Sequence, residues 1–297
     1  MSKQSVCIIG GGAAGLVTAY LLRGRCDVTL FESSAVLGGH IRTLNGNVAA
    51  SNLDCDLVLD AGVIEFDEHH FSGLAGLLDE LGVARREIPG TTALYPATGR
   101  PLQSPGNIAG ALPGSIEKAM AWSNLIPVAL SQQRFMRQTR DIEPGTLYEK
   151  SIGDFLGTGM HAKWLRMLLM YAYSMAYENT MAIPAAMAVP MLRLFTGINR
   201  WTSIDGGTDS YVRRMIELMD ARLHTDAEVV QVSRGADSVD VRLAHGESRR
   251  FDKVILATPP DRVLALLEAP TEQESLWFCD WQPNHARTVI HYDTSLY

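Results

Sequence analysis

The stretch "VCIIGGGAAGLVTAYLL", residues 6–22, decides the fold at the start of the chain. A short apolar run stops at three glycines, and the residues from Ala13 onward have a helical composition, so the stretch predicts a strand, a tight turn and a helix. In this context the spacing of Gly10, Gly12 and Gly15 fits the G-x-G-x-x-G turn that cradles a dinucleotide. The start of the helix would offer its N–H groups and the positive end of its dipole to the phosphates.

A second apolar run, "DVTLFE", follows the predicted helix and ends at Glu32. An acid at this point accepts hydrogen bonds from ribose hydroxyls and disfavours a 2′-phosphate. A flexible loop would carry the same glycines, but the ordered strand, helix, strand and acid favour a dinucleotide site. Residues 37–43, "LGGHIRT", then supply a glycine pair that lets backbone approach a ligand, with His40 or Arg42 as a donor to a phosphate. The alternative for this segment is a glycine turn with two solvated bases.

The composition argues against several other classes of protein. The 297 residues are 46% hydrophobic, enough for one large or two ordinary domains, and the formal net charge is only −7. No run of like charges indicates nucleic acid or an anionic membrane surface as a partner. The four cysteines are scattered, which favours reduced thiols over a disulfide framework or a zinc site. The N-terminus lacks a signal-peptide pattern, and the longest apolar run, residues 167–177, is too short to span a bilayer, so we expect a cytoplasmic protein without a transmembrane segment.

At "LGGHIRT" the sequence resembles the flavin-dependent amine oxidase superfamily, in which a Gly-Gly pair closely follows the ribose-binding acid. His40 follows the pair here, where most of the superfamily has Arg, and this form resembles a bacterial branch of predicted NAD/FAD-binding, amine oxidoreductase-like proteins. Later segments resemble the same branch in the same order, over essentially the whole chain: "LDAGVIEFD" at 59–67, "LLDELGV" at 77–83, "SIGDFL" at 151–156, "WTSIDGGTDSYV" at 201–212, "VILATPPDRVLALL" at 254–267 and "HARTVIHYDT" at 285–294.

The resemblance implies FAD as the cofactor. It also implies a flavin-dependent oxidoreductase that takes a hydride from a C–N or C–C bond of an organic, fairly apolar small-molecule substrate. The residues expected to bind the cofactor come from the glycine turn and helix start, the end of the second strand, the Gly-Gly pair, the segment beside the flavin and two later strands: Gly10, Gly12, Ala13, Ala14, Gly15, Phe31, Glu32, Ser33, Gly38, Gly39, His40, Gly62, Val63, Ile64, Val229, Ala257 and Thr258.

The predicted fold class is α/β, with a Rossmann-like FAD-binding domain that includes a β-hairpin or meander and an inserted, mostly helical substrate domain. Alternation at Val239, Val241 and Leu243, followed by a turn near Gly246 and a strand that ends at Ala257, predicts a hairpin that feeds a buried strand.

We expect residues 1–72 and 204–272 to form the FAD-binding domain and residues 73–203 and 273–297 the substrate domain. The stretch 164–195 is rich in methionine and aromatic residues. Its composition fits core packing, and it also fits an adaptable wall for an apolar substrate.

Few side chains are candidates for chemistry, because a flavin accepts the hydride equivalent itself. Glu65, beside the predicted flavin segment, could bind an amine or act as a base, or it could point to solvent or pair with a nearby base. His69 and His70 are adjacent and would point in different directions, so we expect no metal site.

Many amine oxidases place a lysine near the flavin in the strand that aligns with "HARTVIHYDT". This sequence has no lysine after Lys253, and His285 or Arg287 would occupy similar space. The departure favours a dehydrogenase, a desaturase or an isomerase that uses an acceptor other than oxygen.

Members of the superfamily continue past the position of Tyr297 with a glycine-rich segment that closes over the flavin. Three alternatives stay open: a truncated gene product, a segment supplied by another chain, or an abbreviated mode of cofactor binding. An uncovered sheet edge and flavin surface would favour a homo-oligomer or a second chain as a partner. The main alternative function is a non-catalytic or vestigial dinucleotide-binding protein. An NAD-dependent dehydrogenase is disfavoured by the Gly38–Gly39 pair and the hairpin.

Overall fold

The computed structural model describes residues 3–96, 100–112, 114–197, 200–285 and 287–293. Its strands are β1 (Gln4–Ile9), β2 (Cys26–Phe31), β3 (Thr43–Leu44), β4 (Leu59–Asp60), β5 (Arg85–Pro89), β6 (Ala93–Leu94), β7 (Leu102–Gln103), β8 (Arg200–Ile204), β9 (Arg222–His224), β10 (Val229–Arg234), β11 (Val239–Leu243), β12 (Ser248–Phe251) and β13 (Lys253–Leu256). Its α-helices are α1 (Ala13–Leu22), α2 (Ser72–Leu81), α3 (Pro105–Ala111), α4 (Ser115–Gln138), α5 (Pro144–Tyr148), α6 (Met160–Tyr173), α7 (Ala185–Gly197), α8 (Asp209–Leu218), α9 (Pro260–Leu266) and α10 (Glu272–Phe278). Two short 3₁₀ helices span Ile152–Asp154 and Tyr177–Ala182.

A parallel sheet with the strand order β13-β1-β2-β9 is covered on both faces. Successive side chains of a strand point to opposite faces, so β1 sends Val6 and Ile8 to one side and Cys7 and Ile9 to the other. Val6 and Ile8 pack in a core with α1, α2 and α8, whereas Cys7 and Ile9 pack under the antiparallel meander β10-β11-β12. Burial on both faces explains why β1 is apolar without interruption from Val6 to Ile9.

The chain divides into two compact units. Unit 1 comprises Met1–Arg86, Thr202–Pro283 and Thr288–Tyr297, and unit 2 comprises Glu87–Trp201 and Asn284–Arg287. Unit 1 holds the parallel sheet and the meander, and unit 2 holds the helices α3 to α7. The predicted α/β fold class, Rossmann-like with a meander and an inserted, mostly helical part, is confirmed. The assignment of cofactor and substrate domains to the residue limits given above stays a prediction.

The core of unit 2 lies mainly between α4, α6 and α7. Its buried members are Leu102, Val128, Phe135, Ile152, Leu156, Ala162, Trp164, Leu165, Leu169, Ile183, Ala185, Ala188, Val189 and Leu192. The methionine-rich stretch 164–195 therefore contributes largely to core packing, and several of its methionines pack around this core. Tyr171 and Met187 from the same stretch stay exposed.

Across the described ranges, no helix combines the length and the apolar composition that a bilayer crossing requires. The longest of these helices, α4, has 24 residues and includes charged side chains at Glu117, Lys118 and Arg134.

Candidate dinucleotide site

The turn after β1 brings backbone segments closer together than a side chain would allow. Gly10 has a φ of 110°, and a Cβ added to it would lie 2.4 Å from the carbonyl oxygen of Ala257. A Cβ on Gly15 would lie 1.9 Å from the carbonyl oxygen of Gly10. Because both residues lack a side chain, β1, α1 and the end of β13 can approach each other this closely. Gly12 differs, because an added Cβ would only reach ordinary contact, 3.7 Å from the Cα of Gly39.

The helix α1 begins at this turn, with Gly12 as its N-cap residue. No side chain of the described residues caps it, and its first turn contains no acidic residue. Ala13 and Ala14 are exposed there. The first N–H groups of a helix have no partner within the helix, so this end suits the negative charge of a phosphate.

Glu32, at the end of β2, is buried and faces the glycine turn. Its carboxylate accepts hydrogen bonds from the N–H of Gly11 at 2.6 Å and from the N–H of Ser34 at 2.8 Å. Burial raises the pKa of Glu32, but the N–H groups of Ser34 and Gly11 outweigh it, so the pKa lies below its ordinary value. Glu32 is therefore ionised at neutral pH, with lone pairs left to accept further hydrogen bonds.

Gly11 joins the turn to the segment that contains the Gly-Gly pair. Its carbonyl oxygen accepts a hydrogen bond from the N–H of Gly38 at 2.8 Å, and a Cβ added to Gly11 would collide with Leu37 and Glu32. The G-x-G-x-x-G pattern leaves this position variable, so it does not identify Gly11. The run of three glycines at 10–12, which is longer than the pattern requires, is the signal that points to it.

The glycine pair lies against the glycine turn. Gly38 and Gly39 have φ values of 118° and 60°, and a Cβ on Gly39 would lie 2.8 Å from the Cα of Gly12. His40 is exposed beside them, and its carbonyl oxygen would lie 1.9 Å from a Cβ added to Gly62. The turn, the glycine pair and the start of the segment 61–64 therefore form one continuous backbone surface.

The segment that follows β4 exposes apolar side chains. Val63 is 50% and Ile64 42% exposed, whereas Phe66 is buried in the core of unit 1. Glu65, between them, is half-buried. The exposed apolar surface suits a flat, apolar ligand group, and the role of Glu65 stays a prediction.

Five more predicted residues come from the ends of β2 and β13 and from the start of the meander. Phe31 and Val229 have buried side chains in the core beneath the meander, so only their backbone groups could reach a ligand. Phe31 contributes through its carbonyl oxygen, which accepts the N–H of Gly10 at 2.8 Å. Ala257 is held by a hydrogen bond to Ile9, and the hydroxyl of Thr258 is buried without a hydrogen-bond partner. Ser33 is exposed next to Glu32.

The remaining candidates lie elsewhere. The His70 ring contacts the Asp67 carboxylate on the surface, and no group of three or more potential metal ligands occurs among the residues that the structure describes. His285 and Arg287 belong to unit 2.

A parallel sheet with this glycine turn, an uncapped helix start and an acid on the neighbouring strand defines the class of Rossmann-like folds. The profile of the family described as flavin containing amine oxidoreductase matches residues 13–289, and the chain belongs to this family. Family membership implies a flavin cofactor.

The chain is similar to a curated protein in sequence and to two solved structures in fold. Coproporphyrinogen III oxidase from Mycobacterium tuberculosis is 26% identical over 302 residues, which cover 90% of this chain and 62% of that protein. Putrescine oxidase bound to putrescine has a TM-score of 0.67 at 18% identity and 92% coverage of this chain, and a CLA-producing fatty acid isomerase from P. acnes has a TM-score of 0.61 at 17% identity and 93% coverage. The chain spans 62% of the first structure and 63% of the second, and both likenesses concern the fold.

Proposed function

We propose that unit 1 binds FAD and that the chain acts as an oxidoreductase. The reaction would remove a hydride from a C–N or C–C bond of an organic, fairly apolar substrate. The observation that carries the proposal is the continuous backbone surface formed by the glycine turn, the glycine pair and the segment 61–64, with Glu32 at one end. Family membership supports a flavin, and the adenosine half that distinguishes FAD from FMN is what the Glu32 carboxylate would recognise.

The residues present fit this cofactor on two independent grounds. Added Cβ atoms at Gly10, Gly15 and Gly62 would collide with backbone, so only glycine at these positions lets the segments approach closely enough to form the surface. The buried hydroxyl of Thr258 has no protein partner, and a buried polar atom of this kind is normally satisfied by a ligand or a water.

The proposed roles follow from these positions. The N–H groups at the start of α1 would hold the pyrophosphate, Glu32 would accept hydrogen bonds from the ribose hydroxyls, and the backbone at Val229 would lie beside the adenine. Val63 and Ile64 would exclude water from one side of the flavin ring. When bound, the flavin supplies the hydride acceptor.

The substrate belongs to the proposal too. Unit 2 carries a cluster of three aromatic rings, Tyr171, Phe195 and Trp201, with centroids 5.3 to 6.1 Å apart. Tyr171 is exposed, and Phe195 and Trp201 are half-buried. Rings with inclined planes suit an apolar or conjugated small molecule. We assign the substrate to unit 2 and the protein to the cytoplasm. Association with another copy or a second chain stays a prediction.

The test is the visible absorption spectrum of the purified chain after incubation with FAD and desalting. We expect flavin bands to be retained, to be lost when ADP competes, and to be absent when FMN replaces FAD, because FMN lacks the adenosine that Glu32 would hold. A folded but colourless protein would overturn the FAD assignment. If the chain retains flavin but no candidate donor bleaches it under anaerobic conditions, the result would favour a non-catalytic dinucleotide-binding protein instead.

A further inference from the structure

Asp60 is the meeting point of three segments that are far apart in the sequence. Its carboxylate accepts the N–H of Thr208 at 2.9 and 3.0 Å and the hydroxyl of Thr208 at 2.8 Å. The hydroxyl of Thr43 also donates to it. Thr43 follows the Gly-Gly-His segment, Asp60 ends β4, and Thr208 immediately precedes α8, so one carboxylate joins all three.

The same network holds the backbone of the exposed apolar segment. The hydroxyl oxygen of Thr208 lies 2.9 Å from the carbonyl oxygen of Val63, so its single proton lies between two acceptors and bridges them. Val63 and Ile64 expose their side chains although the carbonyl of Val63 is bonded to the buried residue Thr208. A hydrogen bond therefore fixes the backbone of the segment at Val63.

The residues on either side of Thr208 pack closely against Thr43. Gly207 has a φ of 92°, and a Cβ added to it would lie 2.4 Å from the Cγ2 of Thr43. The N–H of Asp209 donates to the hydroxyl oxygen of Thr43 at 3.1 Å. The positions of Thr43, Asp60 and Thr208 are therefore fixed both by hydrogen bonds and by close packing.

We propose that Asp60 and Thr208 are positioning residues that set the segment 61–64 against the flavin ring of FAD, an inference that rests on the proposed function. The network does not touch Glu32 or the start of α1, where the ADP half of the cofactor would bind. Weakening it should therefore affect the affinity for FAD and leave the affinity for ADP unchanged.

The experiment compares the affinities of the wild-type chain and Thr208→Val for FAD and ADP, by fluorescence titration for FAD and calorimetry for ADP. Valine keeps the size of threonine and the two N–H contacts with Asp60 but removes the bridge to Val63. We expect FAD to bind about tenfold more weakly, the size expected for one lost hydrogen bond, with ADP affinity unchanged. The bound-flavin absorption bands should also shift, because the ring loses its fixed neighbour.

Thr208→Ser is the matched control, since it keeps the hydroxyl and should restore wild-type FAD affinity. Asp60→Asn should show the same loss for FAD alone, which keeps the inference testable if the valine variant fails to fold. Equal losses for FAD and ADP, or no loss for either, would overturn the inference alone. Failure of the wild-type chain to bind FAD would overturn the proposed function and this inference with it.

Discussion

Gly15→Ala tests whether the close approach at the glycine turn shapes the site. Gly15 lies in α1, and an added Cβ would lie 1.9 Å from the carbonyl oxygen of Gly10 and 3.3 Å from the Cγ2 of Ile8. The nearest obstacle is backbone, which cannot rotate away, so we place the overpacking cost at the upper end of its usual range, about 3 kcal/mol. Alanine also gains about 1 kcal/mol of helix propensity over glycine. The net expectation is a loss of about 2 kcal/mol in the free energy of unfolding.

Gly76→Ala is the matched control for this prediction. Gly76 is also helical, in α2, and nothing lies within 4 Å of its added Cβ. The same substitution should raise the free energy of unfolding by about 1 kcal/mol, because only the propensity changes. The difference between the two variants, about 3 kcal/mol, then isolates the steric cost.

The assay is urea unfolding followed by far-UV circular dichroism on the cofactor-free chain, with FAD retention measured separately. Gly15→Ala should lose both stability and FAD, and Gly76→Ala neither. Equal stability of the two variants would refute the argument from close backbone approach, and normal FAD retention by Gly15→Ala would show that the turn is not part of the site.

Three further outcomes are expected. Thr258→Val removes a buried hydroxyl that has no protein partner, so the stability of the cofactor-free chain should stay the same or rise. The Kd for FAD, measured by titration, should increase up to about tenfold. An unchanged affinity would show that Thr258 does not contact the cofactor. Because the folded-state pKa of Glu32 is lowered, its stabilisation is present above its unfolded pKa of about 4.3 and is lost as the pH falls through the folded value. Glu32→Gln should flatten this acid part of the pH–stability curve, and an unchanged slope in urea unfolding at several pH values would contradict it. Cys55 and Cys279 are exposed and should react quickly with a thiol reagent. Burial raises the pKa of Cys7 to about 12, so Cys7 should react only when the chain unfolds. Rapid labelling of Cys7 in the folded chain, detected by peptide mapping, would disprove its burial.

The sequence predicts the Rossmann-like unit well because its signals are local. The strand β1, the glycine turn and α1 follow one another within residues 4–22, and Glu32 directly follows the next strand. Period-two alternation in β11 likewise identifies the meander before any tertiary contact is known. Each of these features depends on neighbours in the chain, which a sequence pattern records.

The parts of the site that escaped prediction depend on pairs of distant residues. Gly11 occupies a variable position of the glycine pattern, and its partner Glu32 is 21 positions away. Thr208 and Asp60 are 148 positions apart, and no periodicity indicates which hydroxyl will face which carboxylate. The same reason applies to α2, whose apolar side indicates that the helix packs on a core but not that this core includes the sheet of unit 1.

The position of β1 between β2 and β13 has a consequence for the synthesis of the chain. Ser5, on β1, bonds to Asp252, next to β13, across 247 positions. At about 5–20 residues per second, that length takes about 12–50 s to translate. During this time β1 can pair with β2, but its other edge offers unpaired N–H and C=O groups to any strand it meets. The helical residues of unit 2 are all made within this interval, so they emerge from the ribosome while the sheet is still open. The order of synthesis, more than the stability of the finished fold, therefore determines when the chain is most exposed to misassembly.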